Sequence, residues 1–168
     1  MRPKTLLLLA ITTFVLLATA AVATGARGPV EDGTLSVRDG RATLTLRMKG
    51  GVIGRFARGK LTVTDSPVDG GTVVVRGAER ERNLSDRTTV YSGSNIRFRI
   101  MDDRRFVVKI HAAKINASAV GRGDGTLDGW GDPEAGVFFD GTFSLNDDGY
   151  RSIPDGRVHF DLASPSAG

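Results

Sequence analysis

The sequence predicts an all-β domain, a single antiparallel β-sandwich or barrel of about 8–10 short strands, and three observations lead there. Ala42 to Lys49 alternates apolar and polar side chains for eight positions without a fault, the period of a half-buried strand. Glycine accounts for 22 of 168 residues, nearly twice the ordinary share of about 7%, and all of it follows Thr24 as punctuation between short runs. No run of helical periodicity follows the first 23 residues, and the one helix-compatible stretch, Ala78 to Asp86, is too short and too charged to build a layer. A short β-helix is the alternative architecture, and the lack of a fixed repeat period counts against it.

The elements follow in chain order. Arg2 and Lys4 precede an apolar run, Leu6 to Leu17, broken only by Thr12 and Thr13. Ala18-Thr19-Ala20 and Ala21-Val22-Ala23 then offer two cleavage sites, so residues 1–23 read as a secretory signal peptide cut after Ala23. The alternative is an uncleaved amino-terminal membrane anchor, because Leu6 to Ala23 reaches the short limit of a bilayer span. The expected location is secreted, outside the cytoplasmic membrane. Residues 24–162 form the β-domain and residues 163–168 a loose tail.

Leu35 to Arg38 and Ala42 to Lys49 flank Asp39-Gly40, a dipeptide that tolerates the positive φ of a tight hairpin turn. Pairing across it sets Val37 opposite Ala42 and Leu35 opposite Leu44. A second hairpin joins Ile96–Ile100 to Phe106–Ile110 through Met101 to Arg105, with Ile100 opposite Phe106, Phe98 opposite Val108 and Ile96 opposite Ile110. Further strands are expected at Lys60–Thr64, Thr72–Arg76, Thr88–Tyr91, Ile115–Val120, Val137–Phe139, Thr142–Leu145 and Arg157–Leu162.

The formal charge is +4, and removing Arg2 and Lys4 with the leader leaves about +2, too little to imply a polyanion partner from net charge alone. Cysteine is absent, which excludes a disulfide framework, a thiolate metal site, a cysteine nucleophile and a lipid-modified amino-terminal cysteine. The second hairpin turns Arg97, Arg99, Arg105 and Lys109 outward, with Arg97 opposite Lys109. Like charges facing each other across a ladder are unfavourable, so an anionic partner or an internal acid is expected over them. Nucleic acid does not fit, because the leader exports the chain and no aromatic residue is interleaved with these charges on their outward face for stacking.

Asp124, Asp128 and Asp132 recur every fourth residue in a Gly-rich stretch, the kind of carboxylate cluster that takes calcium. The stretch Thr126-Leu127-Asp128-Gly129 resembles one turn of the calcium-binding nonapeptide repeats of the RTX family, but Gly125 stands where the ligand aspartate belongs and only one copy is present. The expectation is therefore no cofactor. Half of the aromatics beyond the leader lie between Trp130 and Tyr150, and flat rings beside Asp128, Asp132 and Asp140 suit a sugar-stacking surface. The two histidines, His111 and His159, fall on the polar sides of their strands, and neither a Gly-x-Ser-x-Gly elbow nor a His-x-x-x-His pair occurs.

Gly50 to Phe56, Ile96 to Ile100 and Ser118 to Gly123, with eighteen arginines against five lysines, resemble a group of short, secreted, uncharacterised all-β proteins of high-GC bacteria. The resemblance implies an exported β-domain and supplies no catalytic residue. Two functions follow from the residues. The first is a non-catalytic domain that binds an anionic or polysaccharide cell-envelope polymer through Arg97, Arg99, Arg105 and Lys109. The second is a carbohydrate-active or carbohydrate-binding protein that uses Trp130, Tyr150 and the nearby acids on a glycan.

Overall fold

The computed structural model describes residues 31–64, 71–131 and 139–164. The leader, Asp132, Val137, Phe138 and the end of the tail lie outside the described residues. The fold is all-β and antiparallel: β1 (Glu31–Thr64), β2 (Thr72–Arg76), β3 (Arg80–Ser85), β4 (Thr88–Gly129), β5 (Thr142–Leu145), β6 (Arg151–Ser152) and β7 (Arg157–Ser164). The helix-compatible stretch is strand β3, paired to β4.

Two of the seven strands are far longer than expected, 34 residues for β1 and 42 for β4. They pair with each other on both edges. Leu44 sits between Ile110 and Leu127, and Ile110 sits between Leu44 and Leu61. One row of strands therefore runs through Val158, Leu127, Leu44, Ile110, Leu61, Tyr91 and Glu81. A second row runs through Val73, Ile100, Val52, Ala119, Leu35 and Leu145. β1 and β4 pass from one row to the other several times, so the long ribbon coils around one core in a sandwich-like arrangement.

Both expected hairpins are corrected by this pairing. Leu35 meets Ala119 and Leu145 instead of Leu44, and Val37 meets Ala117 and Phe143 instead of Ala42. Ile100 meets Val52 and Val73, while Phe106 meets Met48. Asp39 does adopt a positive φ of 49°, but it carries β1 across from the second row to the first instead of reversing it. Local turn chemistry reports that the backbone bends, whereas the partner that the bent strand then meets is set by residues about 70 positions away.

The crossings fall on two creases. One follows Asp39, Lys114, Gly59 and Gly93, all with positive φ, and Gly59 lies directly opposite Gly93. The other follows Gly33, Gly121, Gly50 and Asp102, with Gly50 opposite Gly121. Gly50 has φ +127° and Gly121 φ +150°, regions that side chains rarely adopt, and a Cβ on Gly121 would run into the Lys49 carbonyl. The glycine excess thus serves to fold a paired ribbon over itself.

Inside the coil, Leu35, Leu44, Leu46, Met48, Phe56, Leu61, Ile96, Ile100, Phe106, Ile110, Leu127 and Leu162 belong to one apolar cluster. Each such side chain stabilises the fold by roughly 1.5–3 kcal/mol through burial. The alternation read from Ala42 to Lys49 is seen directly, with Ala42, Leu44, Leu46 and Met48 buried between exposed or half-buried neighbours.

Candidate functional site

Because inward positions on the second row are filled by the core, the alternate positions of the same strands turn outward. The outward residues form three lateral lines. Arg76, Arg97 and Arg55 are direct neighbours, followed by Asn116. Above them run Val74, Arg99, Ile53, Ser118 and Ser36, and above those Thr72, Met101, Gly51 and Val120. Arg38 completes the lower corner, its guanidinium 3.8 Å from the centre of the Tyr150 ring, whose hydroxyl is 2.8 Å from Ser36 Oγ.

The lower part of this face is a hollow of about 790 Å³ lined by Arg38, Arg55, Arg76, Arg97 and Arg99. Among the described residues, no carboxylate lies within salt-bridge distance of any of the five. Adjacent side chains on paired strands stand about 5 Å apart at Cβ, so Arg97 faces a like charge on both sides, each unfavourable by a few tenths of a kcal/mol to about 1. An adjoining hollow of about 860 Å³ continues upward over Ile53, Met101 and Val120, which are 57%, 43% and 52% exposed. Arg99 links the two, its Nε and terminal nitrogen donating to Met101 Sδ at 3.1 and 2.9 Å. Asp102 and Asp103 stand at the far end of the upper hollow. The Asp102 side chain is buried there, with Oδ1 accepting the Arg104 amide at 2.9 Å and Oδ2 lacking a partner among the described residues.

The four expected basic residues are divided between two faces. Arg97 and Arg99 belong to the hollow just described. Lys109 lies on the first row between Thr45 and Thr62, not opposite Arg97, and Arg105 reaches Asp124 at 3.5 Å. The like-charge partners of Arg97 are Arg55 and Arg76 instead. Those two, with Arg38, Ile53, Val74, Met101 and Val120, are the site residues that strand patterning alone missed. The sequence does mark Arg55 and Arg76 as polar positions next to the apolar Phe56 and Val75, but nothing local says that they share a line.

On the first row, the outward face is mixed in charge. Asp124 contacts Arg47 at 3.8 Å and Arg105 at 3.5 Å, and Asp128 contacts Arg157 at 3.5 Å. Both aspartates sit within strand β4, and arginines occupy the carboxylates that the calcium reading needs; Asp132 lies outside the described residues. Among the described residues no group of three or more His, Asp or Glu is arranged to hold a metal ion.

Trp130 belongs to this same face. Its indole Nε1 donates to Thr43 Oγ1 at 3.2 Å, its ring centroid is 4.3 Å from that of His111, and Thr43 Oγ1 is 2.8 Å from His111 Nδ1. Trp130 and Tyr150 therefore stand on opposite outer faces and form no common platform. Among the described residues no carboxylate contacts His111 to complete a catalytic relay. Asp140 is only 2% exposed, and neither carboxylate oxygen completes a hydrogen bond among the described residues. Burial pushes its carboxyl above the usual carboxylate range, with Asp155 adding to the rise and Arg41 and the Trp130 and Gly131 amides opposing it. The Trp130 amide is committed to the Arg41 carbonyl at 3.2 Å.

Compared with known proteins, the chain matches no protein-family profile, no curated protein and no solved structure.

Proposed function

We propose that this chain is an exported, non-catalytic β-domain that holds an anionic component of the cell envelope against the outer face of the second row. One observation carries the reading: Arg38, Arg55, Arg76, Arg97 and Arg99 converge on one hollow and none has a carboxylate of the described residues within salt-bridge distance, Asp39 beside Arg55 and Arg97 being engaged by Asn116 instead. Folding places Arg97 between two like charges at a cost in stability, and an anion bound across the three guanidiniums reverses the sign of that interaction. Arginine suits the task, because its planar fork presents paired donors to phosphate or carboxylate oxygens and stays charged at any physiological pH.

The test is co-sedimentation of the purified chain with isolated envelope fractions at about 20 mM and about 500 mM salt, a range over which exposed charges become strongly screened. Pelleting at low salt only, abolished by Arg55→Gln with Arg97→Gln, supports the reading. Pelleting that the double variant leaves unchanged moves the site to another face, such as the Trp130 side. A chain that stays in the supernatant at both salts refutes envelope binding.

A further inference from the structure

The outer face of the second row is not uniformly basic, and its asymmetry says more about the ligand than the charge alone. Arg55, Arg76 and Arg97 occupy one end; Ile53, Val74, Met101 and Val120 are exposed along the middle and upper part. Apolar side chains this exposed and contiguous mark a surface that is covered in use. From this juxtaposition we infer that the ligand is an anionic amphiphile of one acyl chain, its headgroup on Arg55, Arg76 and Arg97 and its chain along Ile53, Met101 and Val120. The inference rests on the proposed anion-binding reading and narrows it to one class of molecule.

Three features favour a single amphiphile over a purely ionic polymer. A polyanion leaves much of the upper hollow unused, because Ile53, Met101 and Val120 present no donors to its oxygens beside the Arg99, Thr72 and Ser118 that also line it. The hollow is also oriented, because the exposed Asp103 at its far end repels a headgroup that the arginines attract, whereas the buried Asp102 is already paired with Arg104 at 3.9 Å. Only one direction of binding satisfies both ends. Finally, the lengths agree: Arg97 to Met101 spans four strand residues, about 13 Å at roughly 3.3 Å each, which accommodates an extended chain of about ten carbons.

The test is calorimetric titration of the full chain with inorganic phosphate, butyl phosphate and decyl phosphate, all below micelle-forming concentration. A fully buried methylene tightens binding by up to about fourfold, and one lying in an open groove by about half of that, so the affinity is expected to rise steeply from inorganic phosphate to decyl phosphate. Val120→Ser, which lines only the upper hollow, is expected to reduce the dependence on chain length while leaving inorganic phosphate binding unchanged. Val120 is more than half exposed, which keeps this variant folded. Arg55→Gln with Arg97→Gln is expected to weaken all three ligands.

Equal affinity for inorganic and decyl phosphate would overturn the amphiphile and leave the anion site standing. Absence of binding to all three would overturn both. Binding to anionic lipid vesicles without binding to any soluble alkyl phosphate would replace the single bound molecule with a bilayer surface, and so would also overturn the inference.

Discussion

Replacing Arg97 by glutamine tests the geometry of the arginine line without reference to any ligand. Arg97 is flanked by Arg55 and Arg76 on paired strands, and none of the three has a carboxylate partner among the described residues. Two unit charges about 6 Å apart in water repel by about 0.7 kcal/mol, and physiological salt cuts this roughly in half. Two such neighbours give about 0.7 kcal/mol in salt and about 1.4 kcal/mol in dilute buffer. Glutamine keeps most of the side-chain stem and removes the charge. Arg97→Gln should therefore stabilise the free protein by about 1 kcal/mol at low salt, a rise in Tm of about 3–5 °C for a domain of this size. Thermal unfolding at about 20 mM and about 500 mM salt measures it, and the gain should shrink at the higher salt. Lys109→Gln is the control, because Lys109 stands between Thr45 and Thr62 and has no like charge beside it in register. A loss of stability in Arg97→Gln would mean that the guanidinium has an attractive partner, and a gain independent of salt would mean that repulsion is not its source. An equal gain in Lys109→Gln would restore the hairpin pairing of Arg97 with Lys109.

Other perturbations probe the crease, the buried acid and the division between faces. Gly121→Ala forces a side chain into a left-handed backbone position and against the Lys49 carbonyl, and should lower stability in urea unfolding by at least about 2 kcal/mol; a change near zero would show that the crease does not need glycine. Asp140 holds its proton more tightly folded than unfolded, so its favourable contribution is complete at acid pH and is lost as pH rises through its elevated folded pKa. Asp140→Asn should accordingly gain stability relative to the parent from acid to neutral pH, and a difference that stays flat across that range would contradict the buried charge. Trp130 is the single tryptophan and faces away from the arginine hollow, so saturation with an alkyl phosphate should leave its emission unchanged; quenching would place the ligand on the first row.

The strand character of the chain was legible because burial on one face imposes a period of two wherever it acts, and β2 and β5 begin and end where their residues predict. Partner choice was not legible. Asp39-Gly40 and the Met101 to Arg105 stretch both look like turns, yet each lies inside a long strand that bends with its neighbour. A bend and a reversal share the same positive φ at one residue, and only distant pairing distinguishes them. The candidate site inherits that limit. Arg97 and Arg99 were visible as outward charges on a strand, whereas Arg55 and Arg76 join them through contacts separated by about 20 to 40 positions. The Trp130 and Tyr150 pairing failed for the same reason, since neighbours in sequence were carried to opposite sides of the core.

The double pairing of β1 with β4 also governs how the chain length can change. Most of residues 42–64, among them Leu44, Leu46, Met48, Val52, Leu61 and Val63, are held in register against β4 along both edges, so their inward side chains depend on both registers at once. Inserting or deleting a single residue there would shift one edge against the other and turn a whole run of leucine and isoleucine outward. A frame locked in this way tolerates substitution far more readily than a change of length. Among descendants of a common ancestor, insertions should gather where only one edge or none is engaged, between β2 and β3, in the short turn at Asp86 and Arg87, and beyond Gly129. Arg55 and Arg97, carried on the doubly paired part of the ribbon, would keep their spacing through such change even as the surrounding loops diverge.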